Sequence, residues 1–487
     1  MIVFNPDYYF RPDEKRVFVV NKGHTHNSSY GWDSIIHPIH AIVFSAFQYN
    51  EPWEIVVGKL SCFLEKSKES VETMIKPFIG NPENVYVEQG GHRFRIPQNI
   101  LIQSEQPVIY ERVFKTEDFI FEENDFETER YLRAPLNITF MPTNHCLTDC
   151  LYCYADKSYK IGKMIPFNRL VDIMNEAKSL GVLSFNVVGG ELFCYTRWKQ
   201  LLNEIKKRDF QMMRPSTKMP LSEEDIEYLN SIDINEIQVS LDSLDVCIEK
   251  QLVRVDDNYV NNIMQSLRWL KQKGFNLQIA TVLTRFNDNL ENIEAMFRFF
   301  EEIHVDSWNL TPGFESLYKV AHSFVSSRDT LNNVRDFVEQ IKGDTKMRIN
   351  FSDTFFEREY GEVENGSRNF KGARCSGLYS HFFILPEGKV TVCEQLYWKP
   401  KFIIGDLNTQ SIEEVWHSDR VKTLLNLKQK DLKSNSPCST CEIFDSCFGN
   451  LNRCWAEILK AYGDENWDYP DPRCIKAPKM KNNLKFE

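Results

Sequence analysis

The nine residues CLTDCLYCY (146–154) place three cysteines at spacings of three and then two intervening residues. Three readings compete for such a loop: a thiol redox pair, a zinc clip, or the seat of an iron–sulfur cluster. The stretch closely follows a predicted strand at 136–140, so its loop lies at a strand's C-terminal end. Parallel α/β barrels and open wound sheets carry their sites there. A zinc clip ordinarily takes four ligands in two pairs, and a Cys-x-x-Cys redox pair comes with a thioredoxin-like context. Three cysteines in one loop suffice for three irons of a four-iron cluster and leave the fourth iron open for chemistry.

Outward from this loop, strand and helix patterns alternate from about residue 133 to 345. The predicted strands are 136–140, 184–188, 211–214, 236–241, 277–283 and 307–310. Between them lie amphipathic helices such as 167–180, where Leu170, Ile173, Met174, Ala177 and Leu180 share one face. Six β/α units in sequence imply a parallel sheet, open or closed into a partial barrel. Residues 1–110 read differently. A strand at 16–20 and a His/Asn/Ser/Gly loop precede helices near 38–48, 52–66 and 68–79. In the second helix Ile55, Val56, Lys59, Leu60 and Phe63 form a mostly apolar stripe. VYVEQGGHRFRI (85–96) then alternates on either side of Gly90-Gly91, a hairpin signal. Helices followed by a two-stranded wing predict a winged-helix domain, and the acidic run 117–130 an exposed linker, set at 111–132. Residues 346–487 form the last region; beyond residue 350 its pattern dissolves into loops and cysteines, with a hairpin turn expected at Gly388 in PEGKVTVC (386–393).

With 58 Lys and Arg against 69 Asp and Glu, the net charge of −11 argues against a general nucleic-acid binder. Residues 1–110 alone hold 10 basic and 12 acidic side chains and no basic stripe, so their winged helix is not expected to hold DNA. No stretch approaches the roughly 20 apolar residues of a membrane span, and the N-terminus lacks a signal-peptide pattern. A cytoplasmic chain is expected. Of 13 cysteines, Cys62, Cys194 and Cys247 are scattered; Cys62 and Cys247 fall on helical faces and read as buried hydrophobes. The other ten cluster, and clustered thiols in a reducing compartment select zinc or iron–sulfur.

C-x₃-C-x-aromatic-C, with Tyr152 as the aromatic, resembles the signature of radical S-adenosylmethionine (SAM) enzymes. The resemblance continues in GGE (Gly189, Gly190, Glu191) after the second strand, VSLDS (239–243) after the fourth, and Arg254 in LVRVDD. It implies a partial (β/α)₆ barrel in which Cys146, Cys150 and Cys153 hold a 4Fe–4S cluster. SAM would be contacted by Tyr152, Gly189, Gly190, Glu191, Ser240 and Arg254. It further implies a 5′-deoxyadenosyl radical that abstracts hydrogen from substrate, and an electron donor such as flavodoxin or ferredoxin. STKMPLSEEDIEYL (216–229) matches a segment where glycine or asparagine is commoner than Lys218, which is given no role.

Downstream, Cys375 and Cys393 flank Gly388 as C-x₁₂-G-x₄-C, followed by Cys438, Cys441, Cys447, Cys454 and Cys474. This resembles the SPASM extension of peptide-modifying radical SAM enzymes, which holds two auxiliary 4Fe–4S clusters. The match implies one cluster on Cys438, Cys441, Cys447 and Cys474, and a second on Cys375, Cys393 and Cys454 with an open iron. Six residues separate Cys447 from Cys454 where the family usually has three. The first 110 residues resemble the PqqD-like element that captures leader peptides by strand addition. The expected function is a maturase that cross-links a ribosomally synthesised precursor peptide by a thioether or carbon–carbon bond. The alternatives are a sulfatase-type formylglycine maturase and a non-enzymatic zinc-binding peptide adaptor. No residue stands out as the general base.

Overall fold

The computed structural model describes residues 1–21, 34–110, 112–126, 133–319, 324–352, 360–364, 367–370, 375–449 and 453–480. The chain divides into two compact units, the first made of Met1–Asn137 with Ser179–Leu183 and the second of Ile138–Lys178 with Ser184–Glu487. The loop expected at 22–33 lies outside the described residues.

In the first unit, strands Tyr8–Asp13, Arg16–Asn21 and Ser34–Ile36 form an antiparallel sheet. Helix Pro38–Ser45 begins where the His37 side chain accepts the Ile39 N–H and proline occupies the first turn. Helix Trp53–Leu64 stops at Glu65 in the left-handed region, and Ser67 caps Lys68–Ile75 by accepting from Ser70 N. Strands Val85–Gln89 and His92–Ile96 pair across Gly90 and Gly91, at φ 58° and 81°. Two consecutive positive φ values are what a tight hairpin turn needs, and glycine supplies them without a Cβ clash.

Two expectations for this unit are corrected. The second helix buries Val56, Val57 and Leu60, while Ile55 and Phe63 are 48% and 46% exposed. The buried face is rotated relative to the predicted stripe because the core lies on the Val57 side. The acidic linker is also not wholly exposed: Phe119, in the turn Thr116–Phe119, is 1% exposed and joins the same core as Phe10 and Phe114.

The second unit holds a parallel sheet in the order Ser216–Thr217, Glu236–Ser240, Asn276–Leu283, Ser307–Pro312 and Arg348–Phe351. Helix Phe167–Ser179 buries Leu170, Ile173, Met174 and Ala177, as its 3.6-residue period requires. The Leu170, Ile173 and Met174 side chains each contribute about 1.5–3 kcal/mol on burial. A second sheet runs Ile403–Asp406, Lys389–Thr391, His381–Ile384, Asn137–Phe140 and Ser184–Val187. The first strand of the partial barrel is therefore flanked on one side by a strand from far along the chain. Met141 N donates to Ile384 O at 2.9 Å, and His381 Nε2 lies 2.9 Å from Thr139 Oγ1.

The strand expected at 211–214 is reduced to a single bridge, Ser184 to Gln211. There Met213 N donates to Asn186 Oδ1 at 2.8 Å, and Arg214 pairs with Glu236 at 3.1 Å. Side chains thus take over the bonding that a continued ladder would have used. Beyond residue 350 the strands His381–Ile384 and Lys389–Thr391 pair antiparallel across Gly388, at φ 92°, so the hairpin expected there forms within the otherwise loop-rich region.

Candidate functional site

The loop of Cys146, Cys150 and Cys153 leaves the strand Asn137–Phe140 and is tied down from several directions. Asp149 N and Leu151 N donate to Val253 O and Leu252 O, both at 2.9 Å, fastening it to the end of helix Val246–Val253. Lys319 Nζ donates to Asp149 Oδ1 at 2.6 Å and to Cys150 O at 2.7 Å. Ser316 Oγ donates to Cys153 O at 3.0 Å. Lys319, with the charges of Lys157 and Arg254, holds the Asp149 carboxyl below its ordinary range. Arg254 caps the C-terminus of that helix at φ 57°, its Nη1 3.0 Å from Asp149 Oδ2. Its observed partner is thus the cysteine loop itself.

Thr148 Oγ1 lies 3.4 Å from both Cys146 Sγ and Cys150 Sγ, so one hydroxyl bridges two of the three thiols. Burial pushes the Cys150 thiol up to about 11, with the nearby Lys218 charge opposing that shift. Against the loop lies the GGE turn. A Cβ on Gly190 would stand 2.3 Å from Thr143 O and 2.7 Å from His145 O, and Glu191 N donates to His145 O at 2.8 Å. Only a glycine permits that approach. The Glu191 carboxylate is 3% exposed and accepts from Phe193 N at 3.2 Å and Lys218 N at 3.0 Å.

Ser240 ends the strand Glu236–Ser240, and the next residue but one, Asp242, is fully buried. Its carboxylate accepts from the Tyr152 hydroxyl, from Lys218 Nζ at 2.8 Å and from Val282 N at 2.9 Å. Lys218 Nζ also stands 5.7 Å from the Tyr152 ring centroid. Sequence reasoning missed Lys218 and Asp242; the only signal was a lysine directly after the strand Ser216–Thr217 where glycine or asparagine is commoner, and a buried lysine must find a partner. Cys62 and Cys247, expected to be buried, are exposed, whereas Cys194 is half-buried with its Sγ 4.0 Å from Met219 Sδ. Both exposed thiols lie on helix faces that the packing turns outward.

The downstream cysteines gather in two places. Burial raises the Cys393 thiol well above its usual value, and Glu394, Cys375 and Cys454 add to the rise. Burial likewise pushes Cys454 up to about 12, with Glu457 and Cys375 reinforcing it. Cys447 is pushed up to about 11 by burial and then by Cys474 and Cys438. Gln429 Nε2 donates to Cys438 O at 3.0 Å and Cys441 O at 2.7 Å, bracing that turn. Tyr154 stands between the first loop and the Cys393 site. It is 42% accessible, yet the surrounding protein raises its phenol, as do the charges of Glu394, Cys153 and Cys393. Glu394, another residue that the sequence reading did not single out, is pushed up by burial.

Cysteines gathered in three separate, partly buried neighbourhoods become, once deprotonated, soft donors suited to iron–sulfur clusters. Among the described residues no three His, Cys, Asp or Glu side chains converge closely enough to hold a single ion. Residues 140–300 match the Radical SAM superfamily, and residues 375–442 match the SPASM iron–sulfur cluster-binding domain. The chain thus carries a radical SAM domain followed by a SPASM domain. Among its relatives, the mycofactocin maturase MftC of Mycolicibacterium smegmatis is 23% identical, spanning 72% of this chain and 85% of that protein. The antilisterial bacteriocin subtilosin biosynthesis protein AlbA of Bacillus subtilis is 19% identical over 65% of this chain and 67% of its own. In fold, Streptococcus suis SuiB, solved with precursor peptide SuiA, matches at a TM-score of 0.62 and 16% identity. That match covers 98% of this chain and all of SuiB. Among the described residues no helix is long and apolar enough to cross a membrane.

Proposed function

We propose that this protein is a radical SAM maturase that cross-links a ribosomally synthesised precursor peptide. The observation that carries the reading is the Cys146–Cys150–Cys153 loop locked under the Gly190 turn, in one compact unit with two further cysteine sets. The relatives and the full-length likeness to SuiB support a peptide as substrate. When bound, the first cluster and SAM supply a carbon-centred radical able to take an unactivated hydrogen.

The chain's own residues do the holding. Cys146, Cys150 and Cys153 are assigned to the SAM cluster. Cys375, Cys393 and Cys454 are assigned to an inner auxiliary cluster, and Cys438, Cys441, Cys447 and Cys474 to an outer one. Tyr152, Gly189, Gly190, Glu191, Ser240 and Arg254 are assigned to the SAM pocket. Within it the Glu191 and Asp242 carboxylates are already committed to protein donors, so they shape the pocket rather than move protons. In the first unit the outer hairpin strand Val85–Gln89 has no further strand paired with it among the described residues. Tyr86 on it is 55% exposed and stacked by Arg93 at 4.4 Å. That edge suits a leader peptide added as a strand. A flavodoxin or ferredoxin is the expected electron donor, and a thioether is the favoured product because the inner set offers three thiolates rather than four.

Co-expression with a short open reading frame neighbouring the gene, read by tandem mass spectrometry, would test this. A cross-link removes two hydrogens per linkage, and a cysteine engaged in a thioether resists alkylation. An aldehyde in place of a cysteine or serine would instead identify a formylglycine maturase. A peptide of unchanged mass would overturn the proposal, and deuterium gained from deuterated water would then identify an epimerase.

A further inference from the structure

Arg453 lies in the stretch between Cys447 and Cys454 whose length departs from the family spacing. It is 8% exposed, and its Nη2 donates to Cys438 Sγ at 3.3 Å and, at a longer 3.5 Å, to Asp468 O. The guanidinium stands 6.0 Å and 5.9 Å from the ring centroids of Phe444 and Phe448. The same residue, with Cys375, Gly377 and Trp455, lines a cavity of about 20 Å³. That volume admits one water-sized occupant, the scale of a single sulfur ligand and not of a peptide side chain. Arg453 Nη1 and Trp455 Nε1 are both buried there without a hydrogen-bond partner among the described residues. Buried donors are otherwise almost always satisfied, so two of them beside one thiol call for an electron-rich acceptor.

We propose that Arg453 is a positioning residue shared by the two auxiliary clusters. One arm of its guanidinium serves the Cys438 thiolate of the outer set. The other arm, together with Trp455 Nε1, serves sulfur at the Cys375 site of the inner set. The inference rests on the assignment of both sets as cluster sites. Hydrogen bonds and positive charge at cluster sulfurs favour the more negative, reduced state and so raise the reduction potential. A planar fork holds two donor edges apart in a fixed geometry and so reaches two sites on opposite sides, whereas a lysine offers its donors from one point. The two auxiliary potentials are therefore tied through one side chain, whereas Trp455 acts on the inner site alone.

The test uses the full-length chain, anaerobically reconstituted, with iron and sulfide counted and each cluster titrated by electron paramagnetic resonance. In Arg453→Met both auxiliary midpoints should fall, and the reduced-to-oxidised ratio of the outer cluster at fixed potential should drop about tenfold. For a one-electron couple that is about 59 mV. In Trp455→Phe only the inner midpoint should move, and the SAM cluster should keep its own in both variants. Iron-replete Arg453→Met protein with both auxiliary midpoints unmoved would overturn the proposal. If that variant loses iron, Arg453→Lys and Trp455→Phe decide: wild-type midpoints in both overturn it equally. Iron sufficient only for the SAM cluster in the unmutated protein would fail the underlying assignment instead, and with it this inference.

Discussion

Replacing Gly190 by alanine is the smallest change that should unseat the SAM-cluster loop. The new Cβ would stand 2.3 Å from Thr143 O, 2.7 Å from His145 O and 3.0 Å from Asn144 C, all backbone atoms. No flexible side chain can swing away, so either the turn or residues 143–145 must shift. Overpacking of this kind costs about 1–3 kcal/mol. The residue also sits at φ 43°, where a Cβ adds about 1–2 kcal/mol. Together Gly190→Ala should lose about 2–5 kcal/mol and displace Cys146, the residue directly after His145. Chemical denaturation of the reconstituted protein, with iron counted per chain, reads both effects. Gly189→Ala is the informative neighbour, since the three atoms nearest its Cβ all belong to the Met141 side chain, the first at 2.7 Å, although φ 85° keeps the backbone strain. Gly162→Ala, with nothing within 4 Å, is the control. Wild-type stability and iron content in Gly190→Ala would refute the claim that this glycine is required by close backbone approach.

Lys218→Met leaves the buried Asp242 carboxylate without its cation and should cost about 3–5 kcal/mol in urea unfolding. Adding Asp242→Asn should recover part of that loss in a double-mutant cycle. His381 is held neutral by burial, its imidazole lowered to about 4 from an ordinary 6.5. The unfolded chain binds this proton below pH 6.5 and the folded chain only below about 4. Stability should thus fall by up to about 3 kcal/mol as pH drops through that window, with no further loss below it. His381→Gln should flatten the slope of unfolding free energy against pH. Arg254→Ala removes a 63% exposed partner of Asp149 and should change stability by less than about 1 kcal/mol. Lys319→Ala, which removes the donor shared by Asp149 Oδ1 and Cys150 O, should lower the iron retained after desalting.

Much of this architecture is legible in the sequence because local patterns and tertiary packing agree. Helix 167–180 keeps its predicted apolar face, and the Gly90-Gly91 turn forms where alternation on both sides required it. The first cysteine loop and the GGE turn could be paired as motifs, but the reason for the pairing, a 2.3 Å backbone approach, is a tertiary fact. What escaped the sequence is non-local. The rotation of helix Trp53–Leu64 depends on which side the core of its unit occupies. The ladder at 211–214 yields to side-chain bonds from Asn186 and Glu236. Lys218 finds Asp242 24 residues away, a distance at which no spacing rule operates. The exposed Cys62 and Cys247 show that a cysteine's helical position alone does not report burial.

The strand His381–Ile384 beside Asn137–Phe140 bears on how the protein is made. His381 and Thr139 are 242 residues apart in sequence, so a ribosome finishes the whole radical SAM domain before the first strand gains this neighbour. Until then the edge of that strand is open, and open edges invite wrong partners. The first cysteine loop, which hangs from that strand, is thus synthesised long before the strand that frames it. Cluster insertion should follow release of the finished chain, and a chain truncated near residue 370 should fail to keep even the SAM cluster, although it retains all three of its cysteines.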